Sequence, residues 1–209
     1  MKRGLIVAAG EGVPPRLLQA LADESDLVYA VDGGYRHCQA AGIAPDLLLG
    51  DMDSLGIPPE ETGMPFERLP CEKDDTDALY AARRLLVQGV ERITLACALG
   101  GRLDHMLGNL GVLCFLLERG AAGRIVDSRC CAEAFAPGEH TLKKEGYNLF
   151  SLFPLEGACE GVCIQNAKYP LERYRLVMGF PIGVSNEFLL GDARVSFESG
   201  KLLAIRLKI

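Results

Sequence analysis

Leu27-Val28-Tyr29-Ala30-Val31-Asp32-Gly33-Gly34 is the stretch on which the reading of the fold turns. Its five leading residues are apolar and β-prone without alternation, which suits a strand buried on both faces of a parallel sheet. They stop at a carboxylate and two glycines, the composition of a loop beyond a strand's carboxyl end. The same punctuation recurs on either side. A predicted strand over 4–9 runs into Gly10-Glu11-Gly12, and one over 46–49 runs into Gly50-Asp51-Met52-Asp53-Ser54. A strand over 92–98 leads to Gly100-Gly101-Arg102-Leu103-Asp104-His105, and 123–127 reads as a further strand.

Helical periodicity fills the intervals. The spacing predicts helices over 14–22, over 35–41 with Gly42 as its stop, and over 104–119 closed by Gly120. A helix over 76–88 places Leu79, Ala82 and Leu86 on one face and ends at Gly89. Strands alternating with helices define an α/β sheet. Beyond Ser128 the pattern changes to short apolar runs at 147–152, 161–167, 193–198 and 202–207, separated by Gly, Pro and Asn. Glu198-Ser199-Gly200-Lys201 reads as a hairpin turn between the last two. This half is expected to be an all-β module, a small sandwich.

Composition excludes several classes. Hydrophobic residues make up 49% of the 209 and charged residues 24%, so the chain buries a core and is not disordered. The net charge of −6 and the lack of any basic patch speak against a nucleic-acid partner. The longest apolar stretches, such as 113–117, fall far short of the roughly 20 residues of a membrane span. The start, Met1-Lys2-Arg3 and a short apolar run, breaks at once into Gly10-Glu11-Gly12 and reads as a strand rather than a leader. Eight cysteines are scattered without a CxxC pair, which fits reduced thiols in the cytoplasm better than disulfides or zinc.

In an open parallel sheet, ligands bind beyond the carboxyl ends of the strands. Four strand ends here deliver glycines and carboxylates to one rim. Glycines let backbone amides approach phosphate oxygens, while carboxylates tolerate phosphate only with a cation such as magnesium between them. Asp51 and Asp53, two apart in extended chain, point the same way and form a metal pair. Glu72-Lys73-Asp74-Asp75-Thr76-Asp77 is a second acidic run. One reading is helix capping, with Asp75 or Thr76 as N-cap; the other sets Asp74 beside Asp77 on one turn to complete a magnesium-phosphate site. Arg102 suits a bidentate phosphate contact or a plain surface position, Asp104 a helix N-cap, and His105 a substrate contact or a first-turn polar residue.

Taken in order, Asp32-Gly33-Gly34, Gly50-Asp51-Met52-Asp53-Ser54, Lys73-Asp74-Asp75-Thr76-Asp77 and Gly100-Gly101-Arg102-Leu103-Asp104-His105 resemble the thiamine pyrophosphokinase family. The second half adds Ser151-Leu152-Phe153-Pro154-Leu155, Lys168-Tyr169-Pro170-Leu171 and Gly183-Val184-Ser185-Asn186-Glu187, which look like that family's thiamine-binding β-domain. The resemblance implies an ATP-binding Rossmann-like domain over 1–128, a thiamine-binding β-sandwich over 129–209, magnesium, and a homodimer with its sites between subunits. It casts Asp51, Asp53 and Asp77 as metal and catalytic carboxylates, with Asp74 assisting. Asp32, Arg102 and Asp104, with Gly33, Thr76 and Gly101, would line the nucleotide and diphosphate site, and Ser185 and Asn186 would meet thiamine. The implied reaction is attack of thiamine's hydroxyl on the β-phosphorus of ATP, giving thiamine diphosphate and AMP. Two departures stand out: Cys97-Ala98-Leu99 where the family often has Gly-Ala-Thr, and no tryptophan to stack on thiamine. The competing expectations are a pyrophosphokinase for another alcohol, such as a hydroxymethylpterin, and a non-catalytic nucleotide or thiamine sensor.

Overall fold

Strands β1 (Arg3–Val7), β2 (Leu27–Val31), β3 (Leu47–Gly50), β4 (Phe66–Arg68), β5 (Arg92–Ala96) and β6 (Ala122–Val126) pair in the order β4-β3-β2-β1-β5-β6. Every one of these pairings is parallel. The computed structural model describes residues 1–52, 55, 57–70 and 74–209. Asp53 and Ser54 of the first acidic motif, and Glu72 and Lys73 of the second, lie outside the described residues. The chain divides into two units, Met1–Ser128 and Arg129–Ile209. The fold is mixed α/β, a mostly parallel sheet plus antiparallel strands.

Burial explains why the strands of the first unit carry no alternation. Leu5, Ile6, Val7, Leu49, Ile93 and Leu95 are all fully buried. β4 went unrecognised because Phe66-Glu67-Arg68 is short and mostly polar, as befits an edge strand. Its pairing of Phe66 with Leu48 recruits it to the sheet. The helices are α1 (Pro15–Asp23), α2 (Gly34–Ala40), α3 (Asp77–Val87) and α4 (Leu103–Glu118). α3 buries Ala78, Ala81, Ala82 and Leu85, which keeps Ala82 of the expected face and leaves Leu79 and Leu86 only half-buried. Small alanines allow close approach to the sheet, so packing rather than residue size selects the face.

Strand order runs one way from β1 through β2 and β3 to β4, and the other way from β5 to β6. The connections therefore diverge between β1 and β5, and a crevice opens beyond their carboxyl ends at such a switch.

The second unit holds β7 (Cys130–Phe135), β8 (Gly138–Leu142), β9 (Leu149–Gln165), β10 (Leu171–Val177), β11 (Asn186–Glu187), β12 (Ala193–Phe197) and β13 (Ser199–Leu207). All their pairings are antiparallel. The runs expected as separate strands at 147–152 and 161–167 are one 17-residue strand, β9. Gly157 and Gly161 adopt φ of +53° and +66° within it, so these glycines bend a strand instead of ending it. Up to Glu156, β9 pairs with β13 and β11; beyond Gly157 it pairs with β10 and β12, and with β13 once more at Glu160. The expected hairpin at 198–201 is also corrected. β12 pairs with β8 and β9, and β13 with β7 and β9, so the chain changes partners at Glu198 and does not fold back on itself. Phe150, Leu152, Val162, Ile164 and Leu176 form the buried centre of this unit.

Candidate active site

The carboxyl ends of β1, β2, β3 and β5 open on a cavity of about 890 Å³ that also takes in the starts of α3 and α4. Six carboxylates line it, those of Glu11, Asp32, Asp51, Asp75, Asp77 and Asp104, against the cations Arg102 and, when protonated, His105. Asp75 lies 2.5 Å from Arg83, and Asp104 is gripped by Arg102 through Nε at 3.1 Å and Nη2 at 2.5 Å. The Arg102 hydrogen bonds hold the Asp104 carboxyl down to about 2. The acidic excess is suited to a hard cation, which takes oxygen ligands and shares them with phosphate.

The rim is built from unusual backbone. Asp32, Met52 and Cys97 have φ of +48°, +70° and +54° without being glycine, a conformation that concentrates at functional sites. Gly50 is obligatory beside Asp32, because a Cβ there would lie 1.6 Å from the Asp32 Oδ1. Gly101, at φ +69°, has nothing within 4 Å of where a Cβ would stand, so its backbone is open to a ligand. Helix α4 follows at once. Arg102 occupies its N-cap position without a side-chain capping hydrogen bond; the His105 N–H is taken by Asp104, and the positive end of the helix dipole stands at the cavity.

Of the residues expected at the site, Asp32, Asp51, Thr76, Asp77, Gly101, Arg102 and Asp104 line this one cavity. Gly33 and Asp74 do not line it among the described residues, and Asp53 lies outside them. Thr76 is the N-cap of α3, its hydroxyl accepting the Leu79 N–H at 3.2 Å, whereas Asp75 is the partner of Arg83 and not the cap. Because α3 begins at Asp77, Asp74 precedes the cap and shares no helical turn with Asp77. Asp104 is not a cap either; it sits in the first turn and accepts the N–H of His105. Glu11 and Asn109 were unassigned. Asn109 had a signal, being an amide on the same buried face as Val112, Leu113 and Leu116.

In the second unit, Ser185 adopts φ +57° and its N–H donates to the Ser151 hydroxyl at 3.0 Å. Asn186 is buried, and its side chain is taken up by Tyr169. The Tyr169 N–H donates to Asn186 Oδ1 at 3.0 Å, and Asn186 Nδ2 donates to the Tyr169 carbonyl at 2.7 Å. The Tyr169 ring stays 56% exposed, beside Lys168, which is paired with Glu187.

A parallel α/β unit with acidic strand ends, a glycine loop and an uncapped helix start is the equipment of a phosphoryl- or diphosphoryl-transferring enzyme. Comparison with known proteins narrows that class. Residues 18–122 match the catalytic domain of thiamin pyrophosphokinase, and residues 139–202 match its vitamin B1 binding domain. The thiamine pyrophosphokinase of Bacillus subtilis is 30% identical over 99% of each chain. A solved structure of thiamine pyrophosphokinase from B. subtilis superposes with a TM-score of 0.87 at 28% identity over the whole of both chains. That of Geobacillus thermodenitrificans gives 0.83, also at 28% identity, over all of this chain and 98% of its own. The chain belongs to the thiamine pyrophosphokinase family. It is a thiamine diphosphokinase, a transferase that binds thiamine. No helix among the described residues is long and apolar enough to cross a membrane.

Proposed function

We propose that the protein works in the cytoplasm as a magnesium-dependent enzyme moving the diphosphoryl group of ATP to the hydroxyl of thiamine, with AMP as the second product. The observation that carries this is the convergence of Asp32, Asp51, Asp77 and Asp104 with a glycine loop and a helix start on one cavity. In this reading residues 1–128 are a Rossmann-like ATP-binding domain and residues 129–209 a thiamine-binding β-sandwich.

Asp51 and Asp77, with Asp53, are the ligands for magnesium; this all-oxygen donor set suits a hard cation that shares its coordination with phosphate. A magnesium ion held there would supply charge neutralisation for the phosphates and the leaving AMP. The chain's own residues do the rest by positioning. Amides of Gly101 and the first turn of α4 hold phosphate oxygens, and Arg102, kept at the mouth by Asp104, adds its remaining donors. Asp32 and Thr76 complete the nucleotide wall, and Gly33 and Asp74 assist from outside it. Asp77 or Asp53 accepts the proton of the attacking alcohol.

Ser185 and Asn186 form the thiamine side. Asn186 acts there by clamping the Tyr169 backbone, so that the exposed Tyr169 ring supplies the aromatic face for which the chain has no tryptophan. The assembly is a homodimer in which Ser185 and Asn186 of one subunit complete the acidic rim of the other. The test is incubation of purified protein with ATP, magnesium and thiamine. AMP and thiamine diphosphate in equal amounts support the assignment, whereas ADP with thiamine monophosphate contradicts it.

A further inference from the structure

The loop between β5 and α4 is held by its carbonyls. The Cys97 carbonyl accepts the Gly10 N–H at 2.8 Å, and the Leu99 carbonyl accepts the Glu11 N–H at 2.9 Å. Between them, the Ala98 carbonyl accepts Nδ2 of Asn109 at 2.7 Å. Three consecutive carbonyls are thus taken up by the protein. The amides that follow are differently placed. Gly100 N–H points to the Met106 sulfur at 3.2 Å. Gly101 and Arg102, which line the cavity, donate no backbone hydrogen bond to another described residue.

Those facts belong together. In a trans peptide the C=O and N–H point opposite ways, so anchoring one carbonyl fixes the direction of the neighbouring amide. The loop carries left-handed φ at Cys97, Gly100 and Gly101, of +54°, +79° and +69°. Such a run has alternative peptide orientations close in energy, and something must select among them. The outer two ties come from the backbone of the loop after β1 and are available to any sequence. The middle one is a side-chain amide, 9% exposed, reaching across from the second turn of α4.

We propose that Asn109 is the positioning residue of the phosphate loop. By holding the Ala98 carbonyl against α4, it fixes the peptide between Ala98 and Leu99, from which the Gly100-Gly101-Arg102 run departs, and keeps that carbonyl from turning to the nucleotide. The proposal rests on the reading of this cavity as the nucleotide site. Without the tie, a flipped peptide turns the negative end of a carbonyl dipole toward phosphate, which costs nucleotide affinity while leaving the carboxylates in place.

The test uses Asn109→Asp, which keeps the shape but replaces the donor with an oxygen, and Asn109→Ala, which removes the donor without adding charge. Three quantities are read on the full-length protein: hydrogen exchange at the Gly10 and Glu11 amides without ligand, affinity for ATP with magnesium by calorimetry, and KM and kcat for both substrates. The expected result is exchange and ATP dissociation constant each raised about tenfold, with KM for thiamine within about twofold of wild type. A cooperatively folded variant with wild-type ATP affinity overturns the proposal, even if exchange at Gly10 and Glu11 is faster, because Asn109 would then serve stability alone. Wild-type protein that binds no ATP would overturn instead the reading of the cavity as a nucleotide site.

Discussion

The rim at the carboxyl ends of β1, β2, β3 and β5 and the interior of the second unit treat polar side chains in opposite ways. At the rim, six carboxylates from five segments face one open cavity, an acidic excess suited to a cationic ligand. In the second unit, a charge inside the fold is enclosed by partners. Arg206, with its side chain 7% exposed, donates to Glu133 at 2.8 Å, to the Lys143 carbonyl at 2.9 Å and to Cys131 Sγ at 3.3 Å, and lies over the Tyr147 ring. Asn186 is likewise consumed by the backbone of Tyr169. Chemistry and architecture separate here: a polar group gripped by several partners inside its unit shapes the fold, and like charges gathered on a cavity suit a ligand of opposite charge.

Substitutions can break that contrast at either end. Asp77→Asn removes a rim charge while Thr76 still caps α3, so turnover is expected to fall about a hundred- to a thousandfold with the unfolding midpoint nearly unchanged. Retained turnover in a well-folded variant would remove Asp77 from the machinery. Arg206→Met should do the reverse. It leaves Glu133 without its cation in a mostly buried setting and should cost about 3 kcal/mol in urea unfolding, with the activity of the folded fraction kept. A loss below 1 kcal/mol, roughly the worth of a surface pair, would show that this cluster is not structural.

Two smaller effects sharpen the boundary between the classes. Thr76 lies in the cavity wall and also caps α3. Thr76→Ala should therefore cost about 1 kcal/mol in stability, while Thr76→Ser should restore it. Equal stability of all three proteins would discount the cap. Arg102→Ala should release the Asp104 carboxyl from about 2 back up toward its ordinary value near 3.9. The sign follows from the depressed folded value: the pairing contributes above the ordinary carboxyl range and is lost as pH falls toward 2. Carboxyl carbon resonances followed through an acid titration would read this directly, and an Asp104 still titrating near 2 in Arg102→Ala would show that another group holds it down.

Much of the first unit was legible because full burial writes itself as unbroken apolar runs, as in β1, β2 and β5. β4 was not, since a three-residue polar edge strand is specified by its neighbour's free edge rather than by its own residues. In the second unit β9 was divided in two because a glycine that bends a strand and one that ends it look alike in sequence. Asp32 and Asp51 were legible from their position after apolar runs, whereas Glu11 was not assigned. The place of Asn109 on a buried helix face was legible, but its role was not, as that depends on the Ala98 carbonyl 11 positions away. Nor could the sequence indicate that the Asn186 amide is already occupied.

The central claim is that the acidic rim transfers a diphosphoryl group rather than a single phosphoryl group. ATP labelled at its β-phosphorus tests it most directly, with magnesium and thiamine present and the products separated. The label is expected to leave with thiamine, and the nucleotide product, AMP, to carry none. Label remaining on the nucleotide as ADP would contradict it.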